Sequence, residues 1–183
     1  MVEENPYQAT EVAASARPGS GLSLPILFAL AIGGPFVVAV GVVFATGTAQ
    51  RFFWLLEQAA PLYVVAWPVS VPLFVFLFVS HHHLSSTKSL NDRRLLWLAP
   101  LPDIAVAMLV LGAVYAGPLG HQYPSWTMDL MPAGLFVAVG VVVLAVVFNV
   151  GRRWFVGALG LLLLLFVLAC SITAGMSITG DWI

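Results

Sequence analysis

Five long apolar runs, separated by short polar stretches that hold almost every charge, constrain this chain more than any other feature. They are Leu22–Ala45, Phe52–Val79, Leu95–Ala116, Leu130–Asn149 and Phe155–Met176. A helix needs roughly 20 residues to cross about 30 Å of hydrocarbon, and each run reaches that length. The expectation is an all-α fold, an integral membrane bundle of five transmembrane helices joined by short loops. Composition supports it. Hydrophobic residues make up 61% of the chain and charged residues 8%, with a mean hydropathy of +1.00. Soluble domains run near half apolar and a quarter charged.

Residues 1–20 are short on large apolar side chains and are expected to form a flexible cytoplasmic tail. Residues 21–183 are expected to form the five-helix transmembrane domain, with no soluble domain beside it. Because Leu22–Ala45 is followed by Thr46-Gly47-Thr48-Ala49, a cleavable signal peptide has to be weighed. Glu3, Glu4 and Glu11 against Arg17 give the wrong sign for such a segment, and the run exceeds the usual apolar region of about 7–15 residues. It reads as a first span that stays. Within it Gly34, Gly41 and Ala45 share a face, a small-residue stripe that allows close helix approach in lipid.

The second run carries Pro61, Pro68 and Pro72, each able to kink a helix. Arg51–Gln58 mixes charge with aromatics and reads as interfacial, leaving Leu62–Val79 as the spanning core. The stretch Ser80–Arg94 is the most polar after the tail. Ser89-Leu90-Asn91-Asp92 has capping-box spacing, so a short surface helix can start there and stop before Pro100. The third span then starts near Leu95 with a kink, or at Ile104 with Asp103 as its N-cap. Gly117–Asp129 reads as a turn-rich loop, and the tight link Gly151-Arg152-Arg153-Trp154 demands that the fourth and fifth spans be antiparallel neighbours.

Basic residues divide unequally between the two sides that five spans create. Arg17, Lys88, Arg93, Arg94, Arg152 and Arg153 fall on the side of the N-terminus, and only Arg51 falls on the other. Basic loops stay in the cytoplasm, so Lys88, Arg93, Arg94, Arg152 and Arg153 act as topology determinants. The expected location is a cell inner membrane, with the N-terminus cytoplasmic and the C-terminus outside. Trp54, Trp97, Trp126, Trp154 and Trp182 each fall near a span boundary, where aromatic belts form, whereas Trp67 sits mid-span.

Chemistry is thinly represented. With a net charge of −1 the chain has no electrostatic footprint for nucleic acid. The single cysteine, Cys170, lies in the last run and reads as a small apolar side chain. His81-His82-His83 are consecutive, and helix neighbours point about 100° apart, so they make no shared metal site; His121 falls on the opposite side. No metal, cofactor or catalytic residue is expected. The candidate functional polar residues are Asp103 and Glu57. An acid inside a span is costly and therefore a functional hypothesis by default, while an acid at a span boundary is an ordinary cap or wetted side chain.

Asn5-Pro6-Tyr7-Gln8 ahead of a multi-pass body, with the central Leu90-Asn-Asp-Arg-Arg-Leu-Leu-Trp97, resembles small bacterial multi-pass membrane proteins of unknown function. The resemblance covers these two stretches and carries no activity. The expected role is a non-enzymatic accessory or interaction component. Its partners are the lipid bilayer and a membrane protein or a second copy of itself. The alternative is a small transporter or channel subunit that oligomerises around Asp103, Glu57 and the proline-broken helices.

Overall fold

The computed structural model describes residues 24–87, 93–115 and 125–180, and every regular element among them is helical. The α-helices are α1 (Leu24–Ala45), α2 (Ala49–Val65), α3 (Trp67–Thr87), α4 (Pro100–Tyr115), α5 (Ser125–Phe148) and α6 (Arg153–Thr179). Short 3-10 helices, Arg93–Leu98 and Val150–Arg152, lead into α4 and α6. The tail, the Ser89–Asp92 capping box, Lys88, His121 and Trp182 lie outside the described residues.

Three segments are long and apolar enough to cross a membrane: Leu95–Tyr115, Ser125–Phe148 and Val150–Thr179. Ala49–Val65 and Trp67–Ser80 make a fourth if they count as one span, and they meet at an 82° bend. The apolar stretch Ala29–Ala45 in α1 is shorter than these. On length and composition alone, the candidate spans among the described residues number three, or four with the bent pair taken as one.

The break in the second run has a definite cause. Pro61 and Pro72 lie inside α2 and α3 without ending them, so Pro68 is the one that matters. Proline has no N–H to continue the ladder, and it disfavours helical backbone at the residue before it. The ladder ends at Ala66, whose N–H reaches the Tyr63 and Val64 carbonyls. A new helix starts there, with the Val69 and Ser70 amides donating to Ala66 O at 3.0 and 2.9 Å. Leu62–Val79 thus straddles a bend and is not a straight spanning core. Arg51–Gln58, expected at an interface, belongs to α2 and buries Phe52 and Leu55.

Three further boundaries differ from expectation. Helix α3 continues through Ser80–Thr87, and α5 opens at Ser125 inside the expected loop Gly117–Asp129. Polar residues mark where a helix leaves an apolar phase, not where its hydrogen bonding stops. Helix α4 begins at Pro100, with Pro102 and Asp103 in its first turn. The first amides of a helix have no intrahelical acceptor, so proline is tolerated there. Asp103 is therefore not the N-cap of a helix starting at Ile104. The third apolar run begins as the 3-10 helix and kinks at Ala99.

The link between α1 and α2 closes as a Schellman turn. Thr48 N–H donates to Val43 O at 2.8 Å and Gly47 N–H to Phe44 O at 3.1 Å, with Gly47 at φ 68°. That pair of bonds satisfies the last carbonyls of α1 and needs a residue free to enter the left-handed region. The small residues that resemble a cleavage site are this turn.

Helix α6 is the centre of the bundle and packs against α2, α3, α4 and α5. At about 1.5 Å per residue, its 27 residues span about 40 Å. Its neighbours are held close by small residues. A Cβ added at Gly112 of α4 would lie 2.8 Å from Ala174 Cα, and one at Gly160 of α6 would lie 2.9 Å from Val142 Cγ1 of α5. Gly134 of α5 faces the Met108 side chain. Without room for these contacts the helices would separate and lose dispersion along their length.

The contacts also give each helix a direction. Gly160 meets Leu98, and fourteen residues further along both helices Ala174 meets Gly112, so α4 and α6 run parallel. Val142 faces Gly160 while Val146 faces Gly157, so α5 runs antiparallel to α6, as the tight link demands. Leu55 reaches Gly112 beside Ala174. Tyr63 meets Phe166 edge to face, with centroids 6.1 Å apart. Phe78 then shares a groove with Phe155. Despite its bend, the α2–α3 pair therefore descends antiparallel to α6 from Ala174 to Phe155, about 28 Å of helix. Helix α1 lies outermost, against α4, α2 and the first 3-10 helix.

Candidate functional site

Asp103 is half-buried in the first turn of α4 and lines an open groove of about 560 Å³ against α1. The other lining side chains, among them Pro35, Val38, Ala39 and Val106, are all apolar. No second polar residue shares the groove, and among the described residues no hydrogen-bond or ion-pair partner meets the carboxylate. A carboxylate near a helix N-terminus gains from the helix dipole, which accounts for an acid here without a ligand. Asp103→Asn and Asp103→Leu are both expected to fold, with melting shifts equivalent to no more than about 1 kcal/mol, the value of the dipole interaction. Detergent melting curves of the two variants check this; a loss several times larger in both would give Asp103 a partner that it serves.

Glu57 does not join Asp103. It is exposed on α2, two residues from Leu55. Leu55 packs at Gly112, which lies nine residues along α4 from Asp103, about 13 Å of rise. The two acids sit at different heights, and the paired polar site required by the transport alternative is not assembled by these two residues within one chain.

The basic residues do gather. Arg93 and Arg94 open the 3-10 helix that leads to Leu98, and Leu98 packs at Gly160 near the start of α6. Arg152 and Arg153 stand at that start. All four therefore belong to one end of the bundle, and Arg51, just before Leu55, belongs to the other. The aromatic residues follow the same division. Trp97 stacks on Phe148 at 5.1 Å near the arginine end, and Trp126 meets Tyr115 edge to face at 5.3 Å near the opposite end. Trp67, at the bend, is 63% exposed at mid-height.

No family model, characterised protein or solved structure matches this chain.

What the residues can do must therefore be read from geometry alone. His81, His82 and His83 are consecutive on the last turns of α3, and no group of three His, Cys, Asp or Glu among the described residues is placed to hold a metal ion. Cys170 is fully buried in the apolar core beside Val167. Buried hydroxyls serve the helices: Thr173 Oγ1 donates to Ala169 O at 2.8 Å, and Ser177 Oγ donates across to Gly112 O at 3.3 Å. Ser171 Oγ is the exception, buried with no hydrogen-bond partner among the described residues.

Two surfaces stand out that residue type alone does not mark. One is the small-residue face of α1: Gly34, Gly41 and Ala45 are exposed, and a Cβ at Gly33, Gly34 or Gly41 would meet nothing within 4 Å. The stripe expected to pack a neighbouring helix meets none among the described residues. The other is the cleft between the end of α3 and the start of α6, where Arg152, Arg153 and Trp154 meet Phe76 and Ser80. Those two segments are about 75 residues apart in sequence, so only the fold brings them together.

Proposed function

We propose that the chain is a five-pass inner-membrane protein with its N-terminus in the cytoplasm, acting as a non-enzymatic accessory or interaction component. Support for membrane residence comes from the outward surface, which is apolar around the bundle: Phe78, Phe136, Val65 and Val37 are all more than two-thirds exposed. Monomeric proteins in water rarely expose contiguous apolar surface beyond a few hundred Å². Support for five passes comes from direction and height. The bent α2–α3 pair covers the same length of α6 that a straight span would. Helix α1 touches the 3-10 helix at one end of the bundle and α2 at the other. The gathering of Arg93, Arg94, Arg152 and Arg153 at one end supports that end as cytoplasmic.

The observation that carries the interaction role is the free face of α1. Helices in lipid associate through close packing of small residues, because hydrophobicity no longer separates buried from exposed. A face with Gly34, Gly41 and Ala45 outward and open space before it suits a second helix, from a partner or from another copy. The transport alternative is less favoured, because the Asp103 groove offers one carboxylate among apolar side chains.

Pull-down from native membranes in mild detergent tests the role. Gly34→Leu with Gly41→Leu is expected to leave the melting temperature of the chain within a few degrees of the parent and to lose the co-purifying helix partner. Equal recovery of that partner by the double variant would remove the α1 face from the account. Loss of transport in Asp103→Asn, with the complex intact, would favour the alternative.

A further inference from the structure

Asp103 stands deeper than its place in the first turn of α4 suggests. Gly112, nine residues further along, packs on Ala174 of α6, so Asp103 lies about 13 Å lower along these two parallel helices. Ala174 is five residues from the end of α6 at Thr179, which puts Asp103 about 21 Å from one end of that helix and about 19 Å from the other. On the membrane reading above this is hydrocarbon depth, where an acid without a partner is costly. The helix N-terminus eases that cost without removing it. The carboxylate is half-buried and meets no hydrogen-bond or ion-pair partner among the described residues. It lines the open groove of about 560 Å³ between α1 and α4, whose other lining residues are apolar. Val38, on the α1 side of that groove, is exposed and continues the outward face of Gly34, Gly41 and Ala45 at helical spacing. A second helix laid on that face therefore runs along the mouth of the groove.

We propose that the partner of this surface is a transmembrane helix of a different protein, carrying a lysine or arginine near mid-membrane that pairs with Asp103. The inference rests on the membrane and interaction readings above and names the chemistry of the partner. A cation at that depth has the same need as the acid, and attraction between the two is strong where the dielectric is low. Small residues on α1 let the partner's backbone come close enough for its side chain to enter the groove. A second copy of this chain does not supply the cation. The basic residues in its described α-helices are Arg51 and Arg153, each at a helix start and an end of the bundle, and Arg93, Arg94 and Arg152 stand in the 3-10 segments. Lipid tails would fill the apolar lining and leave the carboxylate without a counter-charge.

The test places the full chain in phosphatidylcholine vesicles with a labelled synthetic helix of leucine and alanine, and reads their association by energy transfer. Three such helices are compared, with lysine at the centre, leucine at the centre, or lysine one turn from the end. The central-lysine helix is expected to bind about tenfold tighter than the other two, the fold-change of one charge-assisted hydrogen bond. Asp103→Asn is expected to abolish that preference and Asp103→Glu to keep it. Asp103→Lys is expected to prefer a central-glutamate helix instead; should that chain fail to fold, the Asn and Glu variants still decide. Recovery of the chain with the vesicles tests the membrane reading, and Gly34→Leu with Gly41→Leu, expected to weaken all three helices alike, tests the α1 face. Failure of either is therefore distinct from failure of the pair. Equal binding of the central-lysine and central-leucine helices by the parent would overturn the proposal. So would an Asp103→Asn chain that still prefers lysine, or a terminal lysine that serves as well as a central one. Displacement of the lysine helix by an equal concentration of dodecylamine would also overturn it, making the occupant a small cationic amphiphile.

Discussion

Gly112→Leu is expected to prevent the bundle from assembling. A single added carbon at Gly112 would already stand 2.8 Å from Ala174 Cα and 2.9 Å from Ala174 Cβ, with Leu55 Cδ1 at 3.2 Å. Two of those three atoms are the Cα and Cβ of Ala174 on the central helix, so they cannot swing away as a side-chain tip would. Ala174 and Leu55 are both fully buried. Even Gly112→Ala must push α4 and α6 apart, at about 1–3 kcal/mol, the usual cost of overpacking. Leucine adds three more carbons to the same point and disturbs the Ser177 hydroxyl, which donates to Gly112 O. The control is Gly34→Ala, where nothing lies within 4 Å; its stability is expected to shift by less than about 1 kcal/mol, the helix-propensity difference. Melting in detergent and the yield of monodisperse protein separate the two. A Gly112→Leu chain that purifies and melts like the parent would mean that α4 and α6 do not meet at Ala174.

The second large effect concerns orientation. Replacing Lys88, Arg93, Arg94, Arg152 and Arg153 together by glutamine leaves Arg17 on one side against Arg51 on the other. The bias expected to keep that end in the cytoplasm then vanishes, because orientation follows the Lys and Arg excess and not net charge. A mixed population is expected, with a reporter after Ile183 reading both sides of the membrane. Adding two lysines beside Arg17 is expected to restore a single orientation. A quintuple variant that keeps one orientation would show that helix packing or insertion order sets the topology.

The helical class was legible because hydropathy averages over about 20 residues, and no local detail can reverse so long an apolar run. The bend was not. Pro61, Pro68 and Pro72 are equivalent as letters, and the letters do not say that Pro68 stands in the first turn of a new helix while the others ride within one. Asp103 illustrates a signal that was present and read the wrong way. Pro100 and Pro102 read as breakers, yet proline in the first turn is a helix start, which puts Asp103 inside α4. Small residues taught a similar lesson. Gly34 and Gly41 form the visible stripe and face open space, whereas the close contacts belong to Gly112, Gly134 and Gly160, isolated glycines in ordinary apolar sequence. Spacing shows where a helix can be approached; only the fold shows which approach is used. Arg152 and Arg153 read as an orientation signal, and their cleft appears only once α3 returns beside the start of α6.

The proposed five passes require that α1 and the bent α2–α3 pair each cross the membrane. A dual-topology reporter fused after Ile183, paired with one placed at Thr87, measures this directly. Five passes predict that the Thr87 fusion reports the cytoplasm and the Ile183 fusion reports the outside. A cytoplasmic reading at Ile183 would leave an even number of passes and contradict the account.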